Sequence, residues 1–214
     1  MRQERETREH LLASARAEFL EKGFAKASLR KICADAGVTT GALYFFFEGK
    51  EDLFRAIVEP PFLALVKILR EHFSQEEQML LQPERYVHRE GDHDAVAELI
   101  IRHLYGNYDA FLLLLTKSQG TAFEDSLERI VELVEKQFAV QCGLFAEQTA
   151  GRQMDAGMLH WMVYITVDAF VYLLTHERKE QAAEERMKLM LNFIVKGFVE
   201  LIAPPEKKER SGDC

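Results

Sequence analysis

From Ala36 to Phe47 the chain reads AGVTTGALYFFF, a run of small residues, two threonine hydroxyls and four consecutive aromatic rings. Rings in an unbroken row cannot all face one core, so part of this run must be offered to something outside the fold. The chemistry available there is binding rather than bond making. The Tyr44 phenol can donate to a phosphate oxygen, and the bare edge of Phe45 can pack on a methyl such as that of thymine. The same run would also suit a capped core helix with no partner.

Elsewhere, reactive side chains do not gather. There is no glycine-rich phosphate loop, no H-E-x-x-H and no G-x-S-x-G, and no enzymatic activity is expected. His88, Asp92, His93 and Asp94 imitate a metal cluster, but they stand in a polar link without i, i+4 placement, so a solvated loop is expected and no metal or cofactor. Cys33, Cys142 and Cys214 form no close pair and no C-x-x-C, and read as ordinary thiols.

The elements that must position the aromatic run are short helices. Between Thr7 and Lys22 the apolar Leu11, Leu12, Ala15, Phe19 and Leu20 fall at helical spacing, and Gly23 stands where a helix C-terminus belongs. Ser28 can cap a second helix carrying Leu29, Ile32, Cys33 and Ala36, which Gly37 closes. Thr39 then looks like another N-cap, and Val38 can staple onto Leu43. Two helices joined by so tight a turn predict a helix-turn-helix, whose second member enters the major groove with its N-terminal residues at base edges. Leu43 and Phe47 would pack inward. Tyr44 and Phe45 would then face DNA, with Thr40, Gly41 and Ala42 leading into the groove.

Bulk properties agree with this. The 214 residues are 48% apolar, with only five prolines and twelve glycines, which predicts an all-α protein with ample core. Net charge is −8, yet residues 1–50 hold nine Lys/Arg against seven Asp/Glu, while the remainder holds eighteen against twenty-eight. A basic head on an acidic body suggests a polyanion at one end. The charged N-terminus has no apolar leader, so the cytoplasm is the expected location. The apolar stretch Met158–Leu174 contains His160 and Asp168, and is expected to pack against helices rather than span a membrane.

The residues SLRKICADAGVTTGALYFFFEGKEDLF resemble the DNA-binding domain of the tetracycline-repressor (TetR) family of transcriptional regulators. The matched pattern comprises Gly23, Phe24, Ser28, Ile32, Ala36, Gly37, Val38, Thr39, Gly41, Tyr44, Phe47, Lys50 and Leu53. It implies that Thr39, Tyr44 and Lys50 hold the DNA backbone while Thr40, Gly41, Ala42 and Phe45 sit near bases. It further implies that Ser28, with Arg30 and Lys31 nearby, meets a phosphate through the start of the second helix. Phe46 departs from the family's usual His, and Gly49 from its usual Ser cap.

On this reading residues 1–50 form the DNA-binding domain, 51–203 a helical effector-binding and dimerisation domain, and 204–214 a flexible tail. Pro60-Pro61 predicts a kink or split in the segment Glu51–Phe73. Residues 74–92 read as a long connection, followed by helices at about Asp94–Tyr105, Tyr108–Lys117, Phe123–Gln148, Met154–Thr175 and Lys179–Ile202. The last two are apolar on more than one side, around Trp161, Phe170, Met190, Phe193, Ile194, Phe198 and Leu201. They predict a homodimer through a four-helix bundle, an arrangement the resemblance also implies.

Phe62, Tyr105, Tyr108, Phe111, Phe123 and Trp161 are aromatics on helices that the resemblance places around an effector cavity. His160, Tyr164, Asp168 and Tyr172 share one helical stripe, which either packs at an interface, with Asp168 paired to a hydroxyl, an amide or Lys196, or partly lines that pocket. Three functions stand in order. First is a dimeric repressor released from a palindromic double-stranded DNA operator by a small-molecule effector, which would act by displacing the fourth helix. Second is a helix-turn-helix protein without an effector, controlled by a protein partner or architectural. Third is an all-α enzyme or structural dimer.

Overall fold

The computed structural model describes residues 2–81, 94–149 and 154–202. Among them the fold is all-α, a three-helix N-terminal head followed by a helical body. The head comprises α1 (Arg2–Lys26), α2 (Leu29–Asp35) and α3 (Thr40–Phe46). Its punctuation is chemical. Gly23 breaks the helical path of α1 at φ 74, and Gly37 turns the chain between α2 and α3 at φ 70, conformations that a side chain makes costly. Each short helix opens on a side-chain cap: Ser28 Oγ accepts from Lys31 N at 3.4 Å, and Thr39 Oγ1 from Ala42 N at 3.1 Å. The undersides then close on one core of Leu11, Ala15, Phe19, Ile32, Cys33, Leu43 and Phe47.

The body begins with α4 (Lys50–Leu80), one helix of 31 residues that runs through Pro60 and Pro61. The expected split there does not occur. An interior proline costs about 3 kcal/mol through its missing donor and its clash with the preceding turn. Phe54, Ile57, Val58, Phe62 and Leu65 are buried across the same stretch, each contributing about 1.5–3 kcal/mol. Packing on both sides of the prolines outweighs the local penalty. The helix also takes up 74–80, which the sequence pattern assigns to a link.

The remaining helices are α5 (Asp94–Gly106), α6 (Tyr108–Thr116), α7 (Ser126–Thr149), α8 (Ala156–His176) and α9 (Glu180–Ile202), each near its expected bounds. The main core spreads from the head along α4 to α6, α7 and α8, and a second cluster of Ala97, Ile101, Ala169, Leu173, Ala183, Met187 and Leu191 joins α5, α8 and α9. Among the described residues α8 is the one helix long and apolar enough to cross a membrane. Its Leu159, Met162, Val163, Val167, Leu173 and Leu174 are buried against the other helices.

Head and body meet at an aromatic joint. Phe54 of α4 stands edge-on to Phe19 and Phe24 at 5.3 and 5.4 Å, and Phe123 lies 6.4 Å beyond it. Two polar links flank the rings: Phe24 N donates to Lys117 O at 3.2 Å, and Ala122 N to Glu51 Oε1 at 3.1 Å.

Candidate nucleic-acid interface and a cavity in the body

On α3 the helical repeat sorts the aromatic run by face. Leu43 is fully buried and Phe47 nearly so, while Tyr44 is 57% and Phe45 74% exposed. Thr39, Thr40 and Gly41 are exposed beside them, and Ala42 and Phe46 are half-buried. The hydroxyl of Thr39 is occupied in capping, so it sets the start of α3 as much as it faces solvent. Phe46 sits edge-on to Phe45, ring centres 5.0 Å apart.

Two of the other DNA-contact candidates are already engaged inside the head. The Ser28 N–H donates to Glu18 Oε1 at 3.1 Å, so a buried carboxylate of α1, not an outside anion, meets that donor at the start of α2. Lys50 Nζ donates to the carbonyls of Ala25 at 3.1 Å and Ala27 at 3.3 Å, and lies 4.6 Å from the centre of the Phe24 ring. Backbone oxygens at the end of α1 attract the ammonium there, and the lysine is half-buried. Arg30 is exposed.

Three further cations of the head are paired along their own helices: Arg2 with Glu6, Arg5 with Glu9 and Lys31 with Asp35, at 3.0, 2.9 and 2.6 Å. The Glu9 hydrogen bond raises the Arg5 pKa, and Asp35 does the same for Lys31. These groups are exposed, so the pairs add little to stability.

In the body a cavity of about 270 Å³ lies between α4, α5, α6, α7, α8 and α9. Its wall is apolar, formed by residues such as Phe62, Leu69, Ile100, Phe111, Val134 and Phe170. One polar end interrupts it. Gln141 Nε2 donates to Glu76 Oε2 at 2.6 Å, and His72 Nε2 stands 3.2 Å from Glu76 Oε1.

Phe62 and Phe111 therefore line the cavity, whereas the other six effector candidates do not. Tyr105 donates instead to Leu173 O and Glu177 O at 3.1 and 2.7 Å, tying α5 to the end of α8, and burial pushes its hydroxyl pKa up to about 12. Tyr108 packs on Tyr105, and Phe123 belongs to the head–body joint. Trp161, Tyr164 and Asp168 face solvent, because the helical repeat carries the inward face of α8 through Met162, Val163, Thr166, Val167 and Phe170. Tyr172 of α8 and Leu189 and Phe193 of α9 are likewise exposed, at 51, 73 and 80%, as are Trp161 and Tyr164. His160, at the start of that stripe, pairs with Glu135 of α7 at 2.9 Å, which raises its pKa.

His72, Glu76 and Gln141 are not among the sequence candidates. A signal for two of them exists in the apolar spacing Leu65, Leu69, Phe73: one further turn of the same helix reaches Glu76, one turn after His72. Of the metal-like set, His88, Asp92 and His93 lie outside the described residues, and among those described no cluster suits a metal ion.

Residues 11–57 match the family model for bacterial regulatory proteins, tetR family. Among curated proteins the chain is similar to the HTH-type transcriptional repressor BepR of Brucella suis biovar 1 (strain 1330), 42% identical over 83 residues, 39% of this chain and 34% of that protein. It is also similar to the HTH-type transcriptional regulator AcrR of Shigella flexneri, 46% identical over 54 residues and 25% of each chain. The matched stretch thus spans about a third and a quarter of the length of these two relatives. Solved structures align over most of the chain. The TetR-family regulator PfmR from Thermus thermophilus covers 87% of this chain and 97% of its own at TM-score 0.59 and 19% identity. NalD, the secondary repressor of the MexAB-OprM multidrug efflux pump in Pseudomonas aeruginosa, covers 96% and 100% at 0.56 and 19%. At such identities these likenesses establish the fold.

Proposed function

With a head that belongs to the tetR family of bacterial regulatory proteins, we propose that this chain is a cytoplasmic DNA-binding transcriptional regulator. In this reading it is a homodimeric repressor that a small-molecule effector releases from a palindromic operator. The observation that carries it is the two-sidedness of α3: Leu43 and Phe47 are sealed below, while Thr40, Tyr44 and Phe45 stand free above. A core helix would hide both faces.

The reader is residues 1–50 and the sensor and dimerisation unit 51–203; the tail 204–214 lies outside the described residues. Thr40, Gly41, Ala42, Tyr44 and Phe45 meet DNA directly, with Arg30 beside them. Ser28 and Thr39 act chiefly by fixing helix starts. Lys50 reaches phosphate only by leaving the Ala25 and Ala27 carbonyls. The outward face of Trp161, Tyr164, Tyr172, Leu189 and Phe193 pairs with its copy across a twofold axis, which sets two readers on one face of the duplex.

The effector occupies the cavity, where apolar walls supply burial and the His72, Glu76 and Gln141 end supplies orientation. One helix carries the signal. α4 lines the cavity from Phe62 to Glu76 and reaches the head at Lys50, so a ligand preferring a shifted α4 changes the spacing of the readers. A fluorescence-anisotropy titration against DNA fragments selected by the purified protein tests the reading. Affinity should fall steeply with salt, as phosphate contacts demand, and Tyr44→Ala should weaken it at unchanged dimer mass. Salt-independent binding, or none, refutes it.

A further inference from the structure

Resting on the DNA-binding reading above, we infer that α3 reads sequence through the C5-methyl groups of pyrimidines, and that Phe45 is the residue that selects them. Guanine is distinguished by Arg or Lys, adenine by Asn or Gln, and the cytosine amino group by an acid. Thr40–Phe46 contains none of these. Its polar side chains are two hydroxyls, each able to donate or accept, which discriminate poorly between base edges. Of the nearby cations, Lys31 is paired with Asp35 and Lys50 with the Ala25 and Ala27 carbonyls, while the exposed Arg30 belongs to α2 and not to this helix.

What α3 does present is an apolar ring. Phe45 is the most exposed large hydrophobic among the described residues of the head, and its ring lies edge-on to Phe46 at 85°. A helical side chain lies over the turn preceding its own Cα, here the turn of Gly41 and Ala42, where nothing longer than a methyl projects. Gly41 is not demanded by packing, since an added Cβ would meet only Thr39 Oγ1 at 3.8 Å. The glycine leaves that turn open to close approach. An exposed ring beside bare backbone complements a small apolar group in the major groove. On unmodified bases the thymine methyl is that group, and 5-methylcytosine presents the same one.

The test uses the full-length protein and a duplex it selects from random-sequence DNA. Thymine is replaced by deoxyuracil throughout and then position by position, which removes only the methyl. Affinity should drop about fourfold for each contacted methyl, the burial value of one such carbon. Phe45→Ala should abolish the thymine–uracil difference, and Phe45→Leu should keep it. Placing C·G at a sensitive position and then methylating that cytosine at C5 should recover about the same factor. Equal binding of thymine and uracil duplexes by the unaltered protein overturns the inference while leaving DNA binding intact. A uracil penalty that persists in Phe45→Ala overturns the role given to Phe45. Failure to select any duplex overturns both this inference and the function beneath it.

Discussion

The N-terminal head and the cavity-bearing body are both helical, yet they are specified in different ways. In the head, glycines at two turns, hydroxyl caps on two helices and a few deeply buried side chains fix each element within a handful of residues. The body has longer helices whose ends matter less, and whose inner faces leave space for a cavity. Local chemistry determines shape in the first region and cumulative packing in the second. On the function proposed above, that division would hold the DNA-facing surface constant while the body accommodates a guest.

The comparison breaks most completely at Leu43, the fully buried underside of α3. Leu43→Ala should destabilise the head by about 2–5 kcal/mol, seen as an early thermal transition with the body's transition unmoved. A single transition shifted as a whole would mean that the two regions unfold as one. Next in size is assembly. Phe193→Glu puts a charge on the outward face of α9 and should reduce the sedimenting mass to that of one 24.7 kDa chain, with the helical content unchanged.

A smaller effect sharpens the role of capping. Thr39→Ala removes the acceptor for Ala42 N and should cost about 1 kcal/mol, read from denaturant midpoints, with Thr39→Ser recovering most of it. Smallest is the His160–Glu135 pair of the body. Because Glu135 holds the folded His160 pKa above 6.5, the pair's contribution is fully present below that unfolded value and is lost as pH rises through the folded one. The stability difference between the parent and His160→Gln should therefore shrink on going from acid to mildly alkaline solution. Both groups are solvated, so the shift in midpoint should be slight, and a growing difference would reverse the assignment.

The head was legible because its signals are local. Ser28, Thr39, Gly23 and Gly37 each announce a boundary through their own chemistry, and the spacing of Leu43 and Phe47 indicates which side of α3 is hidden. Lys50 was not legible in this way: its partners, the Ala25 and Ala27 carbonyls, lie about half the head away in sequence. In the body, helix limits followed from composition, but the fate of Pro60-Pro61 depended on burial that only the assembled neighbours provide. Trp161 and Tyr164 illustrate the same limit. A helix apolar on several sides does not reveal which side meets the cavity until α7 and α9 are in place.

One small arrangement has a wider effect. The chain between α1 and α2 is held on one side by the Glu18 carboxylate on Ser28 N–H and on the other by the Lys50 ammonium on the Ala25 and Ala27 oxygens. Three helices are thereby riveted at a single corner by two opposite charges. A push transmitted along α4 would swing the whole head as a stiff paddle, changing its tilt and leaving its internal geometry intact.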